Sequence, residues 1–392
     1  MQNIVALAFS GGLDTSYCVA RLREDGFVVH TVYVDTGGVD ESERDEIAKR
    51  SEALGAEAHH AIDARDAVFR RFVRVLIRGN VLRGEVYPLS VAAERTQQAI
   101  SVVERAREIG AASLAHGSTG AGNDQVRFDV AFRVLAPEMR VVTPVRDVSL
   151  TREAATRYLV ERGLPVPAPS AAYSINRGLW GATYGGGWTH DAWEGPPEDW
   201  LSAPPDAPGP EDAIIGWTRG VPVSLDGEAL WEPELVRRLA ERCAAHGIGR
   251  GIHIGETALG IKGRIGFEAG AALVLVAAHR ELEKLVLTRW QAFWKDHLGR
   301  FYGDRLHEGH WFDPALRDIE TLIDSSQRAV DGETRVRLDT GRFLVTGARS
   351  PHSLFAPEIA VYGEEPHLWS GEEARAFARI SAVPDLLAAR RS

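Results

Sequence analysis

Seven residues near the N-terminus, Ser10-Gly11-Gly12-Leu13-Asp14-Thr15-Ser16, constrain this chain more than any other string in it. They follow the apolar run Ile4-Val5-Ala6-Leu7-Ala8-Phe9 and lead into residues 15–24, which read as a helix. A buried strand, a glycine turn and a helix start in that order form a cradle for phosphate. Glycine lets backbone N–H groups approach an anion closely, and the helix N-terminus adds partial positive charge. Ser10, Thr15 and Ser16 supply hydroxyl donors. Asp14 stands apart, because a carboxylate beside phosphate is unfavourable unless it works through a metal ion. A helix cap alone explains a lone Ser or Gly-Gly turn better than it explains the full string. The string has neither the Gly-Lys-Ser/Thr ending of a Walker loop nor the Gly-x-Gly-x-x-Gly of a dinucleotide fold.

The 392 residues are enough for two ordinary cores. The first part alternates strand and helix signals. A strand over 28–34 follows Gly26, a polar helix over 41–54 stops at Gly55, and 58–62 reads as a third strand. From Ala99 the residues Val102, Val103, Ala106 and Ile109 keep helical spacing up to Gly110, and 113–115 and 141–142 read as short strands. Repeated βα units imply a parallel sheet with helices on both faces and ligands at the carboxyl ends of its strands. Leu164-Pro165-Val166-Pro167-Ala168-Pro169 is a stiff link, and 194–210, dense in Pro, Asp and Trp, reads as a surface excursion. Beyond it lie a helix over 233–246, further helices between 268 and 329, and a hairpin whose strands 334–338 and 342–346 flank a turn at Asp339-Thr340-Gly341. Residues 372–391 form an amphipathic tail suited either to a partner subunit or to its own chain. Three parts are expected: 1–165, 170–365 and a tail over 366–392.

Composition excludes several classes. No apolar run approaches the ~20 residues of a membrane helix, and the first residues lead straight into a strand rather than a signal peptide. Two cysteines, Cys18 and Cys243, are too few for a disulfide framework or a zinc site, which fits a cytoplasmic protein. The net charge of −10 argues against a nucleic-acid substrate.

The second chemical centre is His116-Gly117-Ser118-Thr119-Gly120-Ala121-Gly122-Asn123-Asp124-Gln125-Val126-Arg127-Phe128. It packs three glycines, two hydroxyls, an amide, a carboxylate and a guanidinium into one loop and helix start. Arg127 can bind a carboxylate through two parallel bonds, while Asn123 and Thr119 bind polar groups without charge bias.

The loop at Ser10 resembles the pyrophosphate loop of the N-type ATP pyrophosphatases, which cleave ATP between the α and β phosphates. Taken with the second segment, the chain resembles the argininosuccinate synthase family. The likeness continues in family order through Leu135-Ala136-Pro137, Tyr173-Ser174-Ile175, Leu179-Trp180-Gly181, Gly220-Val221-Pro222-Val223, His246-Gly247-Ile248-Gly249-Arg250 and Ser350-Pro351-His352-Ser353-Leu354. The resemblance implies an α/β fold: a parallel-sheet nucleotide-binding domain of the pyrophosphatase kind, an α+β synthetase domain and a C-terminal helical tail. It implies an ATP-dependent carbon–nitrogen ligase in which citrulline's ureido oxygen attacks the α-phosphorus, pyrophosphate leaves, and L-aspartate's amine then displaces AMP. Mg²⁺ would accompany ATP, and the assembly would be a homotetramer, without nucleic-acid or membrane partners. The identity of any metal-binding side chain stays open.

Residue by residue, the resemblance assigns Ala8, Phe9, Ser10, Gly11, Gly12, Leu13, Asp14, Thr15, Ser16, Val34 and Gly117 to ATP. It assigns Thr119, Asn123 and Asp124 to aspartate, and Tyr87, Asn123, Arg127, Ser174, Thr183 and Glu256 to citrulline. Asp14, Asp124 and Arg127 would carry the catalysis. The chain also departs from the family. Where the family places hydroxyls soon after Tyr87, it has Pro88-Leu89-Ser90-Val91-Ala92. The family glutamate for citrulline's ammonium falls at Gly255, one place from Glu256, and a family tyrosine falls at Phe267. Two readings follow: Glu256 moves into place, or the acceptor is an N-acylated citrulline. Other adenylating enzymes of the superfamily are the rivals. A tRNA-thiolating enzyme calls for reactive cysteines and a basic face, an amidotransferase for an ammonia source, and a nucleotide sensor needs no Asn123-Asp124…Arg127 set.

Overall fold

The computed structural model describes residues 3–167, 174–202, 204, 206–364 and 366–391. Its first unit is built on a sheet of five strands, β1 (Ile4–Ala8), β2 (Val28–Asp35), β3 (Ala58–Asp63), β4 (Ser113–Ala115) and β5 (Arg140–Val142), in the order β3-β2-β1-β4-β5. Every pairing in it is parallel. The expected alternation of strand and helix is therefore present. Such a sheet is covered on both faces, so its central strand is apolar at every position. Val5 and Leu7 pack on one side with Tyr17, Val19 and Leu22 of the helix Leu13–Glu24 and with Ala155 and Leu159 of the helix Arg152–Glu161. Ala6 faces the other way, into Val102, Val103 and Ala106 of the helix Ser90–Glu108 and Phe128 and Phe132 of the helix Asp124–Leu135. Gly55, at φ +82°, turns the chain out of the helix Glu41–Ala53.

The second unit has two antiparallel sheets. One contains β6 (Ser174–Gly178), β7 (Gly181–Gly185), β11 (Arg250–Glu256) and β12 (Lys262–Glu268), in the order β11-β12-β7-β6. The other contains β8 (Glu211–Thr218), β9 (Val221–Leu225), β10 (Glu228–Ala229), β13 (Gly332–Asp339) and β14 (Arg342–Arg349), in the order β10-β9-β8-β13-β14. The β13–β14 pair is the hairpin expected at 334–346. The helices Glu232–Ala245, Gly270–Val286, Arg289–His307 and Pro314–Ser326 complete this half. Its core takes in Phe69, Phe72, Leu76, Leu89 and Ala92 from the first third of the chain, so the two units share a packed boundary.

That boundary is close. Leu179 N donates to Thr36 O at 2.7 Å, and a Cβ at Gly38 would overlap the Arg177 carbonyl. Residues 168 and 169 of the proline-rich link, Tyr173 of the Tyr-Ser-Ile motif, and 203 and 205 of the 194–210 excursion lie outside the described residues. The tail forms the helices Gly371–Ser381 and Val383–Ala389, and neither has a buried side chain. Phe377, Ile380, Leu386 and Leu387 all face outward. Of the two placements the sequence allows, packing on its own chain is not the one adopted. No helix among the described residues is long and apolar enough to cross a membrane.

The unit boundary gives the first prediction. Gly38→Ala forces a methyl group into strand backbone that cannot rotate away, an overpacking cost of about 1–3 kcal/mol. Its thermal unfolding midpoint should fall clearly, whereas Gly195→Ala, whose Cβ meets nothing within 4 Å, should leave the midpoint unchanged.

Candidate active site

β1 and β4 are register neighbours, with Leu7 opposite Ala115, so the loops that follow them meet above the carboxyl edge of the sheet. The strand order reverses there, the place where open α/β sheets bind ligands. Gly11, at φ +74°, turns the chain, and its carbonyl accepts Arg50 Nη1 at 2.6 Å. Gly12 is the helix N-cap and offers no side-chain cap. The first intrahelical bond runs from Ser16 N to Gly12 O at 2.9 Å, which leaves the first-turn amides to face an anion. Thr15 Oγ1 donates to Gly12 O at 3.1 Å and lies 3.4 Å from Ser10 Oγ. The second loop seats directly on the first. A Cβ at Gly117 would come within 3.3 Å of Cys18 Sγ, Thr15 Cγ2 and the Asp14 carbonyl carbon. His116 beside it is buried; its Nε2 bonds Asp129 Oδ1 at 2.9 Å and its Nδ1 accepts from Ser118 N at 3.2 Å, so the ring keeps its proton on Nε2. Burial raises the Asp14 carboxyl above the ordinary carboxylate range, with Arg152 opposing.

A cleft of about 1490 Å³ opens between the two units. Ala8, Phe9, Ser10, Gly12, Leu13, Asp14, Thr15, Val34 and Gly117 line one end of it. Tyr87, Thr119, Asn123, Asp124, Arg127, Ser174, Thr183 and Glu256 line the rest. Two residues of the sequence assignment do not line it. Gly11 is turned to Arg50, and Ser16 lies fully buried on the core side of its helix.

A charge cluster holds the middle of the cleft. Asp124 Oδ2 accepts Arg95 Nε at 2.8 Å, and Asp124 Oδ1 accepts Arg127 Nη1 at 2.8 Å. Burial by itself would raise the Asp124 carboxyl, but the two guanidiniums outweigh it and hold it below the ordinary range. Arg95 also donates to Gln98 Oε1 at 3.0 Å and to Asn176 Oδ1 on β6. Arg127, only 4 % exposed, sends Nε and Nη2 to the His307 carbonyl at 3.1 and 3.0 Å. Most of the donors that sequence reasoning reserved for a substrate carboxylate are thus spent on the protein. His307 is held neutral, pushed down to about 2 by burial and then by Arg127 and Arg83. Asn123 Oδ1 accepts Ala258 N at 2.8 Å, which ties the first unit's motif to the loop between β11 and β12.

The far wall is set by strand alternation. On β11 and β12 the residues His253, Gly255 and Phe267 share the face that meets Tyr87; the Tyr87 ring stacks on His253 at 5.7 Å and tilts against Phe267 at 5.5 Å. Thr183 on β7 is the register partner of Phe267. Glu256 is one residue out of phase, and a shift of one flips a side chain to the other face. Its carboxylate bonds Lys262 Nζ at 2.9 Å across the strand pair, with 61 % of its side chain exposed. In this structure its carboxylate therefore does not occupy the position of Gly255. Sequence reasoning missed Arg95, Asn176, His253 and His307, which come from four separate segments without a motif of their own.

A pyrophosphate-type loop at the switch point of a parallel sheet, facing a second unit across one cleft, defines a nucleotide-binding α/β protein with a dedicated partner domain. Comparison with known families agrees: residues 4–165 match the arginosuccinate synthase N-terminal HUP domain, and residues 173–387 match the arginosuccinate synthase C-terminal domain. The chain is 40 % identical over 397 aligned residues to an argininosuccinate synthase of Xanthomonas campestris, covering 98 % of each. It is 38 % identical over 369 residues to that of Methanocaldococcus jannaschii, covering 93 % of each. A third, from Pyrococcus furiosus, is 37 % identical over 389 residues, covering 98 % of this chain and 94 % of its own. The chain belongs to the argininosuccinate synthase family.

Glu94, next to Arg95, yields a pH prediction. It is buried against Gly178, and burial pushes its carboxyl up to about 8, with Arg95 opposing. Between the unfolded value of 4.5 and about 8 the native state holds a proton that the unfolded chain has released. Stability should therefore fall as pH rises through that window, by at most about 1.4 kcal/mol per pH unit. Glu94→Gln should flatten the slope between pH 5 and 8 in chemical denaturation.

Proposed function

We propose that this chain ligates citrulline to L-aspartate through a citrulline-adenylate, releasing AMP and pyrophosphate as a step of arginine biosynthesis. The observation that carries this reading is the convergence of the Ser10–Thr15 loop and the Thr119–Arg127 segment on a single cleft. ATP lies with its phosphates at the first-turn amides of Leu13 to Thr15 and its adenosine against Val34. Thr119, Asn123 and Asp124 hold aspartate, with Asp124 itself fixed by Arg95 and Arg127. Tyr87, Arg127, Ser174 and Thr183 hold the acceptor so that its ureido oxygen meets the α-phosphorus in line. Catalysis in this scheme comes from holding three reactants in register and from donors aimed at developing phosphate charge. No side-chain nucleophile is required.

Among the described residues no group of three or more His, Cys, Asp or Glu side chains is placed to hold a metal ion. Mg²⁺ tolerates this, because it keeps several waters and takes substrate phosphates with one or two carboxylates. Asp14 is the carboxylate at the phosphate loop and the residue that would hold it; bound there, the ion would offset charge on the leaving pyrophosphate. The outward apolar side chains of the tail, together with Trp290, Phe293 and Trp294 on the helix Arg289–His307, support self-association, the family resemblance supports four copies, and the composition supports a cytoplasmic assembly.

The test is AMP formation from ATP, which should require both citrulline and aspartate. Asp124→Ala should lower it about 100-fold, since Arg95 and Arg127 lose the carboxylate that fixes them in the cleft and the reactants lose their register. Asp124→Asn, which keeps the shape, controls for folding. AMP formation that ignores aspartate would point to another adenylating enzyme. Light scattering should give about four times the 42.9 kDa chain mass, and removal of 366–392 should reduce it.

A further inference from the structure

The carboxylates that line the cleft are all committed away from its far wall. Asp14 and Glu153 belong to the helices at the nucleotide end, and Asp124 is shared between Arg95 and Arg127. Glu256 reaches the cleft with its backbone, whose carbonyl Arg83 holds, while its carboxylate is bonded to Lys262. What the far wall does present is Arg83, His253 and Thr257. Arg83 Nη2 donates to the Glu256 carbonyl at 2.8 Å, and its Nε lies 3.4 Å from Asp304. His253 is kept in its neutral form by burial and by Arg83. An ammonium group placed there would lose its water shell and find no negative charge in exchange.

Two polar atoms on that wall are buried without a hydrogen-bond partner among the described residues: His253 Nε2 and Thr257 Oγ1. Both are neutral, and each can donate or accept. They lie over Gly255 and Gly263, which stand opposite each other in the β11–β12 register, so the imidazole and the threonine side chain themselves form the surface of this stretch of the wall. A Cβ at Gly255 would come 2.5 Å from His253 Nε2, and one at Gly263 would come 3.1 Å from Thr257 Cγ2. A pair of uncharged donor–acceptors at this place matches an amide in chemistry. It does not match an ammonium, which has three donors and no acceptor.

We propose that the acceptor pocket does not select for a free α-ammonium and accepts at least one ureido acid whose α-nitrogen is acylated or missing with an efficiency within tenfold of citrulline or above it. The proposal rests on the ligase reading above and concerns only the far end of the same pocket. Steady-state AMP formation with saturating ATP and aspartate is measured for three acceptors: citrulline, Nα-acetylcitrulline and 5-ureidopentanoate. At least one of the amine-free acceptors should reach a kcat/KM within tenfold of citrulline or above it. Citrulline better than both by more than tenfold overturns the proposal and leaves the ligase reading intact. Absence of AMP formation with all three overturns the ligase reading itself. Gly255→Glu returns a carboxylate to the pocket face and should raise the citrulline-to-acetylcitrulline ratio of kcat/KM at least tenfold. An unchanged ratio in a variant that still turns over also overturns the proposal.

Discussion

The interaction on which the rest of the cleft depends is the Asp124 carboxylate held between two guanidiniums. Through Arg95 it is tied to the helix Ser90–Glu108 and, via Asn176, to the first strand of the second unit. Through Arg127 it is tied to the end of the helix Arg289–His307. One acidic side chain therefore fixes four elements from distant parts of the chain. A buried ion cluster is weak evidence for stability, since desolvation offsets much of the Coulomb gain. Its value here is geometric. The cluster also carries two positive charges against one negative, a surplus that suits a cleft built for phosphates and carboxylates.

The second constraint is steric and lies at Gly117. In the proposed reaction the phosphate loop and the Thr119–Arg127 segment can share one set of reactants only because their parent strands are neighbours and because nothing larger than hydrogen stands between the loops. Parallel pairing of β1 with β4 brings the loops to the same edge, and the missing side chain lets them touch. His116 then locks the second loop from below through Asp129, whose other oxygen is held by Arg146 at 3.2 Å. Specificity for three substrates is thus built from ordinary packing rules, with the reactive chemistry left to the substrates.

Much of this was legible in the sequence, for reasons that separate the successes from the failures. The Ser10–Ser16 loop could be read because its strand, turn and helix start are contiguous, and the βα alternation could be read because a doubly covered sheet forces apolar runs. The start of the helix Ser90–Glu108 was obscured. Glu94, Thr96, Gln97 and Ser101 are all buried, and they interrupt the apolar spacing that identifies a helix face, so only its second half announced itself. Some of their hydrogen bonds stay within the helix, such as Gln97 Nε2 to Ser101 Oγ at 3.0 Å, and these satisfy polar groups that apolar periodicity does not register. Arg95, Asn176, His253 and His307 were invisible for a related reason: each acts through a partner far away in sequence. Ser16 differs from its neighbours in the loop, since its side chain is buried away from the cleft. It belongs to the motif string, but helical periodicity turns it into the core.

Gly255 and Glu256 show how fine this limit is. Along a helix, a one-residue displacement moves a side chain by about 100° and can be absorbed by a long carboxylate arm. Along a strand the same displacement moves it to the other face of the sheet, and no rotamer brings it back. The family resemblance puts a glutamate at Gly255, and its nearness in sequence is what keeps Glu256 as a candidate for the ligand. The parity of β11 removes it, pairs it with Lys262 and leaves glycine on the pocket face. The charge that a pocket offers its ligand is therefore set by strand register before it is set by residue type. The two ends of the cleft differ in this respect: the phosphate loop presents backbone amides, which tolerate changes of side chain, whereas recognition of a ligand's amine needs one carboxylate at one parity.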